Sequence, residues 1–300
     1  MRKENLRAHL SMLAATLLFG ANYWIAKGLM PDFLQPLQII FLRVSGTVII
    51  SFILQISIRE IRVLKIERSD FPRLIISGLL GVTLNQVMFF KGLNLTTPVD
   101  AAIINSGSPM LVLVFAAFIL KDKISFPRLI GIILGASGAL LLILSGNPIS
   151  PGGGHFSGNI LIIVNTLSWS LYLVVSKPLM VKYNPFLLMK WIFLIGFVSV
   201  LPFCFSEIST IDSMAFTSYT WFSILYIIIG TTFIGYFLIT YSLKRLPSSV
   251  VAYYNYLQPV IVAIIGIAVF SERLSWIKIL CAMLVFIGIY LVTRRKHPSA

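Results

Sequence analysis

The sequence has few charged residues, and that scarcity decides its class. Charged residues make up 11% of the 300-residue chain and hydrophobic residues 58%, whereas a typical soluble domain is about 25% charged. A soluble protein of this length could not bury so much apolar surface, so the lipid bilayer must be its solvent. The composition therefore predicts an all-α membrane protein.

Cysteine and histidine are also scarce. Cys204 and Cys281 both fall inside apolar runs, so we expect no disulfide framework. The sequence has no zinc-ligand pairs, no Asp-x-x-Asp carboxylate clusters and no Gly-Lys-Ser/Thr phosphate loop. We therefore expect no cofactor, no metal site and no catalytic residues; the chain is not expected to be an enzyme.

The net charge of +14 would suggest a nucleic-acid partner if the protein were soluble. Here the lysines and arginines stand mainly at the ends of apolar segments, where membrane orientation and contacts with lipid phosphates explain them better. We therefore expect membrane lipids and a small-molecule substrate as partners, and no nucleic acid.

Ten apolar segments each reach the roughly 20 residues that a membrane span needs. They cover residues 9–29, 36–57, 72–92, 98–120, 126–145, 157–177, 185–206, 219–243, 247–270 and 275–293. The basic amino terminus before the first segment resembles a signal peptide. That segment is too long for one and has no convincing cleavage site, so we interpret it as the first span.

The second half of the chain repeats the first at an offset of 150 residues. The matched pairs are Ala102 with Ala252, Asn105 with Asn255, Pro109 with Pro259, Lys27 with Lys177, Asp122 with Glu272, Ser125 with Ser275 and Gly138 with Gly288. Each unit holds five spans, and an odd number makes the second unit enter the bilayer upside down. Inverted repeats that meet near the midplane are typical of transporters. We therefore predict one five-helix unit at 1–146, a linker at 147–156 and an inverted unit at 157–300.

The distribution of basic residues supports this topology. The lysines and arginines of the loops and span ends divide into eighteen on one side of the membrane and four on the other. Because the basic side faces the cytoplasm, both termini are predicted to be cytoplasmic.

Several motifs occur in both halves. They are residues 105–109 (NSGSP), 255–259 (NYLQP), 121–125 (KDKIS) and 271–275 (SERLS), together with the glycines of the fifth and tenth spans. In these the sequence resembles the bacterial EamA branch of the drug/metabolite transporter superfamily, although Asp122 stands where that family more often has Glu. The resemblance implies a carrier of the bacterial inner (plasma) membrane, commonly an exporter of amino acids or similar metabolites. It also implies a cavity lined by spans 1, 3, 4, 6, 8 and 9.

Pro109 and Pro259 lie about halfway along their spans, where each is predicted to kink its helix. A mid-helix proline frees the carbonyl four residues back, which belongs to Asn105 in one unit and Asn255 in the other. These groups either face a central cavity that binds a polar substrate or merely shape the bundle and hold helices together. We favour the cavity because the feature recurs in both units.

The predicted substrate-binding residues are the polar and aromatic side chains expected to face this cavity. They are Asn22, Arg43, Asn85, Gln86, Asn105, Ser108, Trp169, Tyr172, Tyr236, Asn255 and Gln258. Tyr23 and Asn165 are further polar groups of the same spans. An aromatic-walled pocket with a few amides suits amphipathic solutes such as apolar or aromatic amino acids.

Arg43 lies inside the second span, where an ionised group is a functional candidate. Three interpretations are open: it binds a substrate carboxylate or phosphate, it extends to the outer surface, or it pairs with Asp100. No acidic residue lies near the middle of a span, which favours facilitated diffusion or exchange over proton coupling.

Two other functions share this topology: a flippase of a lipid-linked substrate, and a membrane partner subunit that transports nothing. Spans 5 and 10 carry Gly131, Gly135, Gly138 and Gly288, which allow close helix approach. We expect these spans to support the bundle or to form the contact of a homodimer.

Overall fold

The computed structural model describes residues 2–57, 66–120, 130–131, 133–138, 141, 154–212, 214, 216–271 and 275–293. Within these residues the chain is helical apart from turns, and it contains no strand. The prediction of an all-α protein is confirmed for this part of the chain.

We number the helices in chain order. They are α1 (Arg2–Leu29), α2 (Pro36–Ser57), α3 (Arg68–Leu95), α4 (Pro98–Asn105 and Ser108–Leu120), α5 (130–131, 133–138 and 141), α6 (Gly154–Val175), α7 (Lys177–Lys182), α8 (Pro185–Ile208), α9 (Ser218–Arg245), α10 (Ser248–Phe270) and α11 (Trp276–Thr293).

Seven helices of the described part are long and apolar enough to cross a bilayer, namely α2, α3, α4, α6, α8, α9 and α10. The apolar stretch of α11, Trp276–Gly288, is shorter, and α1 is longer but richer in polar residues. The predicted linker up to residue 153 and the turns around Asp122 and Glu272 lie outside the described residues. The count of ten spans, the inversion and the position of the termini therefore stay predictions.

Each half of the chain packs its first long helix on the other half. α1 packs against α9 and α10, whereas α6 packs against α3 and α4. Between these two groups α2 lies along α8. This exchange places side chains from both halves around a common centre, where the polar residues of α1, α3, α4, α6, α9 and α10 meet.

Two lysines at equivalent positions stabilise the carboxyl-terminal ends of helices. The Lys27 ammonium donates to the carbonyls of Leu93 at 2.9 Å and Asn94 at 2.8 Å, at the end of α3. Lys177 donates to the carbonyl of Leu243 and, at 2.6 Å, to that of Leu246, at the end of α9. The last carbonyls of a helix have no partner within it, and a cation there also interacts favourably with the helix dipole.

Irregular helix geometry recurs at the same offset. α3 widens to a π-helix over Leu79–Leu84 and α9 over Tyr226–Gly235. α4 is interrupted at residues 106–107, and α10 tightens to a 3₁₀ turn over Tyr254–Tyr256. Such interruptions often mark functional sites, and the last two directly precede Pro109 and Pro259.

The glycine faces of α5 and α11 contact each other inside one chain. A methyl group at Gly288 would lie 2.5 Å from the carbonyl oxygen of Gly131 and 2.7 Å from the amide nitrogen of Gly135. One at Gly138 would lie 2.9 Å from the carbonyl oxygen of Cys281. These faces are therefore occupied within the chain, so a homodimer through spans 5 and 10 would need their other faces.

Gly288→Ala tests the close contact of α5 with α11. The added methyl group meets backbone atoms, and overpacking costs about 1–3 kcal/mol, which exceeds the gain of about 0.5–1 kcal/mol from replacing a helical glycine. We expect a lower thermal midpoint for the detergent-solubilised protein. Gly230→Ala, whose methyl group finds its nearest neighbour at 3.5 Å, is the control. A midpoint unchanged in both variants would contradict the contact.

Lys27→Met tests the hydrogen bonds at the end of α3. Hydrogen bonds to a charged group contribute about 1.5–3 kcal/mol, so we expect a clear fall in the thermal midpoint. Lys91 is an exposed lysine on the same helix, and Lys91→Met should leave the midpoint nearly unchanged. Equal effects of the two variants would show that Lys27 contributes no more than a surface charge.

Candidate functional site

A polar cavity lies at the centre of the bundle, with a volume of about 670 Å³ that includes its open mouth. Its lining residues come from α1, α2, α3, α4, α6, α9 and α10. They are Met12, Thr16, Phe19, Asn22, Tyr23, Arg43, Asn85, Gln86, Phe89, Asn105, Asn165, Trp169, Tyr236, Ile239, Asn255 and Gln258.

The interruptions of α4 and α10 position two asparagines at equivalent places. Asn105 is the last residue of the first segment of α4, and Asn255 lies in the 3₁₀ turn of α10. Both side chains line the cavity. An interrupted helix inside a membrane is tolerated where it is buried in protein or lines a cavity, and both conditions hold here.

Four side chains form a hydrogen-bonded group that we call the amide cluster: Tyr23, Asn105, Asn255 and Gln258. The Asn105 amide donates to the Tyr23 hydroxyl at 2.7 Å, and that hydroxyl donates to Gln258 Oε1 at 3.2 Å. Gln258 Nε2 in turn donates to Asn255 Oδ1 at 3.4 Å. Tyr23 of α1 therefore connects the interrupted helices of the two halves.

Hydroxyl groups behind the amide cluster complete its bonding. Asn255 Nδ2 donates to Ser108 Oγ at 3.4 Å, and Thr166 Oγ1 donates to Asn105 Oδ1 at 2.5 Å. Ser170 joins the Ser108 hydroxyl at 3.2 Å. The asparagines are thus held from outside the cavity, and a satisfied polar network of this kind fixes side-chain positions.

Arg43 is a buried cation with no carboxylate partner among the described residues. Its side chain is only 3% exposed, so it does not extend to the surface. Its Nε donates to Thr232 Oγ1 at 2.8 Å, and its guanidinium lies 4.8 Å from the centre of the Phe90 ring. Asp100 pairs instead with Lys278 at 3.0 Å, which contradicts the predicted alternative of an Arg43–Asp100 pair.

Tyr236 fixes the orientation of Gln86 beside Arg43. The Tyr236 hydroxyl donates its proton to the carbonyl of Gly81 at 3.0 Å, so it can only accept from Gln86, whose Nε2 lies 3.4 Å away. The end of the Gln86 amide that faces Tyr236 is therefore the nitrogen. Its oxygen, Gln86 Oε1, is buried and accepts no hydrogen bond within the described part of the chain.

Aromatic rings surround Tyr236; Phe19 and Trp169 line the cavity beside it, and Phe193 is buried behind it. Phe19, Trp169 and Phe193 each meet the Tyr236 ring edge to face, at centroid distances of 6.0, 5.8 and 5.0 Å. Edge-to-face pairs are a favoured aromatic geometry. The cavity therefore offers one cation, several amides and an aromatic wall, a combination suited to an amphipathic anion.

The structure brings most of the predicted binding residues together. All of them line the cavity except Ser108 and Tyr172. Ser108 supports Asn255 from behind, and Tyr172 is buried at 1% exposure beside Trp169, at a ring distance of 5.2 Å. We therefore correct both from lining to supporting positions. The part that the remaining residues play in binding stays a prediction.

The prediction omitted several lining residues of α1. Met12, Thr16 and Phe19 line the cavity and were not predicted, and Tyr23, which the sequence indicated only as a further polar group, lines it as well. Their spacing of three or four residues places them on one helical face, a signal that the sequence contains. The described residues hold no group of three or more His, Cys, Asp or Glu side chains that could bind a metal ion.

The sequence matches the model of the EamA-like transporter family twice, over residues 6–144 and 156–294. The chain belongs to the EamA-like transporter family. As an EamA-like protein with several apolar spans, it is a multi-pass integral membrane protein, as expected for the bacterial inner (plasma) membrane. Its family consists of transporters and not of enzymes, as the sequence predicted.

Relatives of this EamA-like protein occur in bacteria, archaea and plants. It is 26% identical to the uncharacterized transporter YetK of Bacillus subtilis (strain 168), over 99% of this chain and 90% of that one. An uncharacterized transporter of Archaeoglobus fulgidus is also 26% identical, over 98% and 99% of the two chains. The WAT1-related protein At4g30420 of Arabidopsis thaliana is 22% identical, over 94% and 84%.

A solved crystal structure shares the fold, with a TM-score of 0.64 and 17% sequence identity over 97% of this chain and 96% of that one.

Tyr23→Phe tests the amide cluster. Removal of the hydroxyl leaves the half-buried amide of Asn105 and the buried amide of Gln258 without this partner, at a cost of about 1–3 kcal/mol. We expect a lower thermal midpoint in detergent. Tyr219→Phe removes a hydroxyl from an exposed tyrosine and serves as the matched control. If the two variants behave alike, Tyr23 does not hold the cluster together.

Proposed function

We propose that this protein exports amino acids or similar small metabolites across the bacterial inner membrane by alternating access. The two units, 1–146 and 157–300, would be inverted five-helix repeats that rock about the central cavity, as in other carriers built from inverted repeats. The observation that carries the proposal is that both halves contribute polar side chains to one cavity between their interrupted helices.

The matching features of the two halves support a pair of related gates. Lys27 bonds the end of α3 and Lys177 the end of α9, at the same offset in the sequence. Each bond joins elements of the same half, so the two halves carry the same internal contact at equivalent positions. Because the second half is predicted to be inverted, the two lysines would lie at opposite faces of the membrane.

Polar contacts between the halves occur at the starts of α2 and α3, which we expect at opposite ends of the bundle. Gln38 donates to the carbonyl of Glu207 at 2.9 Å. Near the start of α3, Lys182 pairs with Glu67 at 2.6 Å and with Asp70 at 2.8 Å. The hydrogen bonds that the Lys182 ammonium donates to Asp70 and Glu67 raise the pKa of Lys182, which keeps it charged.

These contacts suit gates that must open. Exposed ion pairs contribute only about 0–1 kcal/mol, so breaking them requires little free energy. In alternating access, one set of contacts would open while the other stays closed, and the cavity would face the two sides of the membrane in turn.

The substrate would bind with its acidic group at Arg43 and its polar groups at the amide cluster. A buried arginine without a counter-ion is costly, and a substrate carboxylate would neutralise it through charge-assisted hydrogen bonds. The ring wall around Tyr236 would hold the apolar part of the substrate.

The double substitution Asn105→Leu/Asn255→Leu should abolish export, because it removes the amides of both interrupted helices from the cavity. The measurement is metabolite profiling of the medium of cells that produce wild-type or variant protein in matched amounts. A compound enriched by the wild type at least about tenfold over the variant, equivalent to about 1.4 kcal/mol, would support export.

The matched control is Asn5→Leu, which makes the same change at an exposed position of α1 and should behave as the wild type. If the metabolite profile of the medium were the same for the wild type and the double variant, the export proposal would be wrong. Uptake, lipid flipping or a role as a partner subunit would then take its place.

A further inference from the structure

Arg43 is the only charged side chain among the described residues that line the cavity. We propose that the cargo is a net monoanion, a carboxylate that carries a neutral hydrogen-bond donor such as an α-hydroxyl group, and not a zwitterionic amino acid. This inference rests on the proposed transport function and narrows its substrate class.

The hydrogen bonds of Arg43 are the reason for proposing a carboxylate on the substrate. Nε is bonded to Thr232 and one face of the guanidinium covers Phe90, while the two Nη groups make no hydrogen bond within the described residues. A guanidinium edge with free N–H groups is the geometry that binds a carboxylate through two parallel hydrogen bonds. The bound anion also supplies the counter-charge that the structure lacks at this site.

An ammonium group has no comparable partner in this cavity. No Asp or Glu side chain is among the described residues that line it, and its polar groups other than Arg43 are neutral amides and hydroxyls. The positive charge of an amino acid would lose its water next to a fixed guanidinium charge. In a site of low dielectric constant, like charges at short range repel strongly. Replacing the ammonium by a hydroxyl removes that repulsion while keeping a hydrogen-bond donor.

Gln86 indicates why the cargo should keep a donor. Its Nε2 is committed to Tyr236, and its Oε1 is buried without a donor in the described part of the chain. A buried acceptor without a partner is destabilising, and a ligand that supplies the missing donor removes this penalty. Gln86 and Arg43 both line this cavity, so one small molecule can reach both.

The test compares acids that differ only in this one group. Purified protein in liposomes is assayed for uptake of three labelled pairs: phenyllactate and phenylalanine, hydroxyisocaproate and leucine, lactate and alanine. We expect at least one hydroxy acid to move about tenfold faster than its amino acid, a difference equivalent to about 1.4 kcal/mol. Arg43→Gln should abolish this preference, and Arg43→Lys should restore part of it because the charge returns.

Gln86→Leu tests the role of the substrate's hydroxyl group independently of the role of its carboxylate. The comparison uses the hydroxy acid that the wild type transports fastest and the corresponding acid without the hydroxyl group, for example phenyllactate and phenylpropanoate. In the Gln86→Leu variant, transport of the hydroxy acid should slow to the rate of the acid without the hydroxyl. The rate for that second acid should stay the same. Asn5→Leu, outside the cavity, should change neither rate. A hydroxy acid that keeps its advantage in Gln86→Leu would contradict the assignment of Gln86.

The outcomes also separate this inference from the proposed function. Amino acids that move as fast as their hydroxy analogues, or faster, would overturn the anionic cargo while leaving a transporter in place. If no hydroxy acid moves, the inference is wrong as well. If in addition the wild type and the Asn105→Leu/Asn255→Leu variant give the same medium, the export function is also wrong.

Discussion

Inside a bilayer no water reaches the polar groups of the chain, so each carbonyl, amide and charge needs a partner within the protein. The main features of this structure follow from that constraint. Lys27 and Lys177 supply partners for the last carbonyls of α3 and α9. Where α4 is interrupted, Tyr23 and Thr166 bond the side-chain amide of Asn105. Two groups with incomplete bonding, the Arg43 guanidinium and Gln86 Oε1, line one cavity, and that is where a substrate can supply partners.

Arg43 is a buried charge to which the described part of the structure gives no carboxylate partner. Thr232 and Phe90 reduce the cost of burial without cancelling the charge. A protein that keeps such a cation in its centre retains a site that is incomplete until an anion enters. Asp100 does not neutralise Arg43, because it forms an ion pair with Lys278 instead.

Much of the fold could be predicted from the sequence, because a membrane span needs only length and apolar composition. The two asparagines of the site were also predictable, since each stands four residues before a proline at the same place in its half. The role of Tyr23 was not predictable, because its hydrogen-bond partners lie on α4 and α10, far from it in the sequence. The π-helices of α3 and α9 likewise leave no simple mark in the sequence. The glycines of α5 and α11 predicted close packing, but only the structure shows that they pack on each other.

That packing has a consequence for how such a protein changes over generations. No methyl group fits between Gly288 and the backbone of α5 without displacing it, and no described residue of α5 or α11 lines the cavity. The demands of assembly and of recognition thus fall on different helices. Mutations of cavity side chains outside the amide cluster can therefore change the cargo while the contact of α5 with α11 stays intact, so one architecture can be inherited while its chemistry diverges.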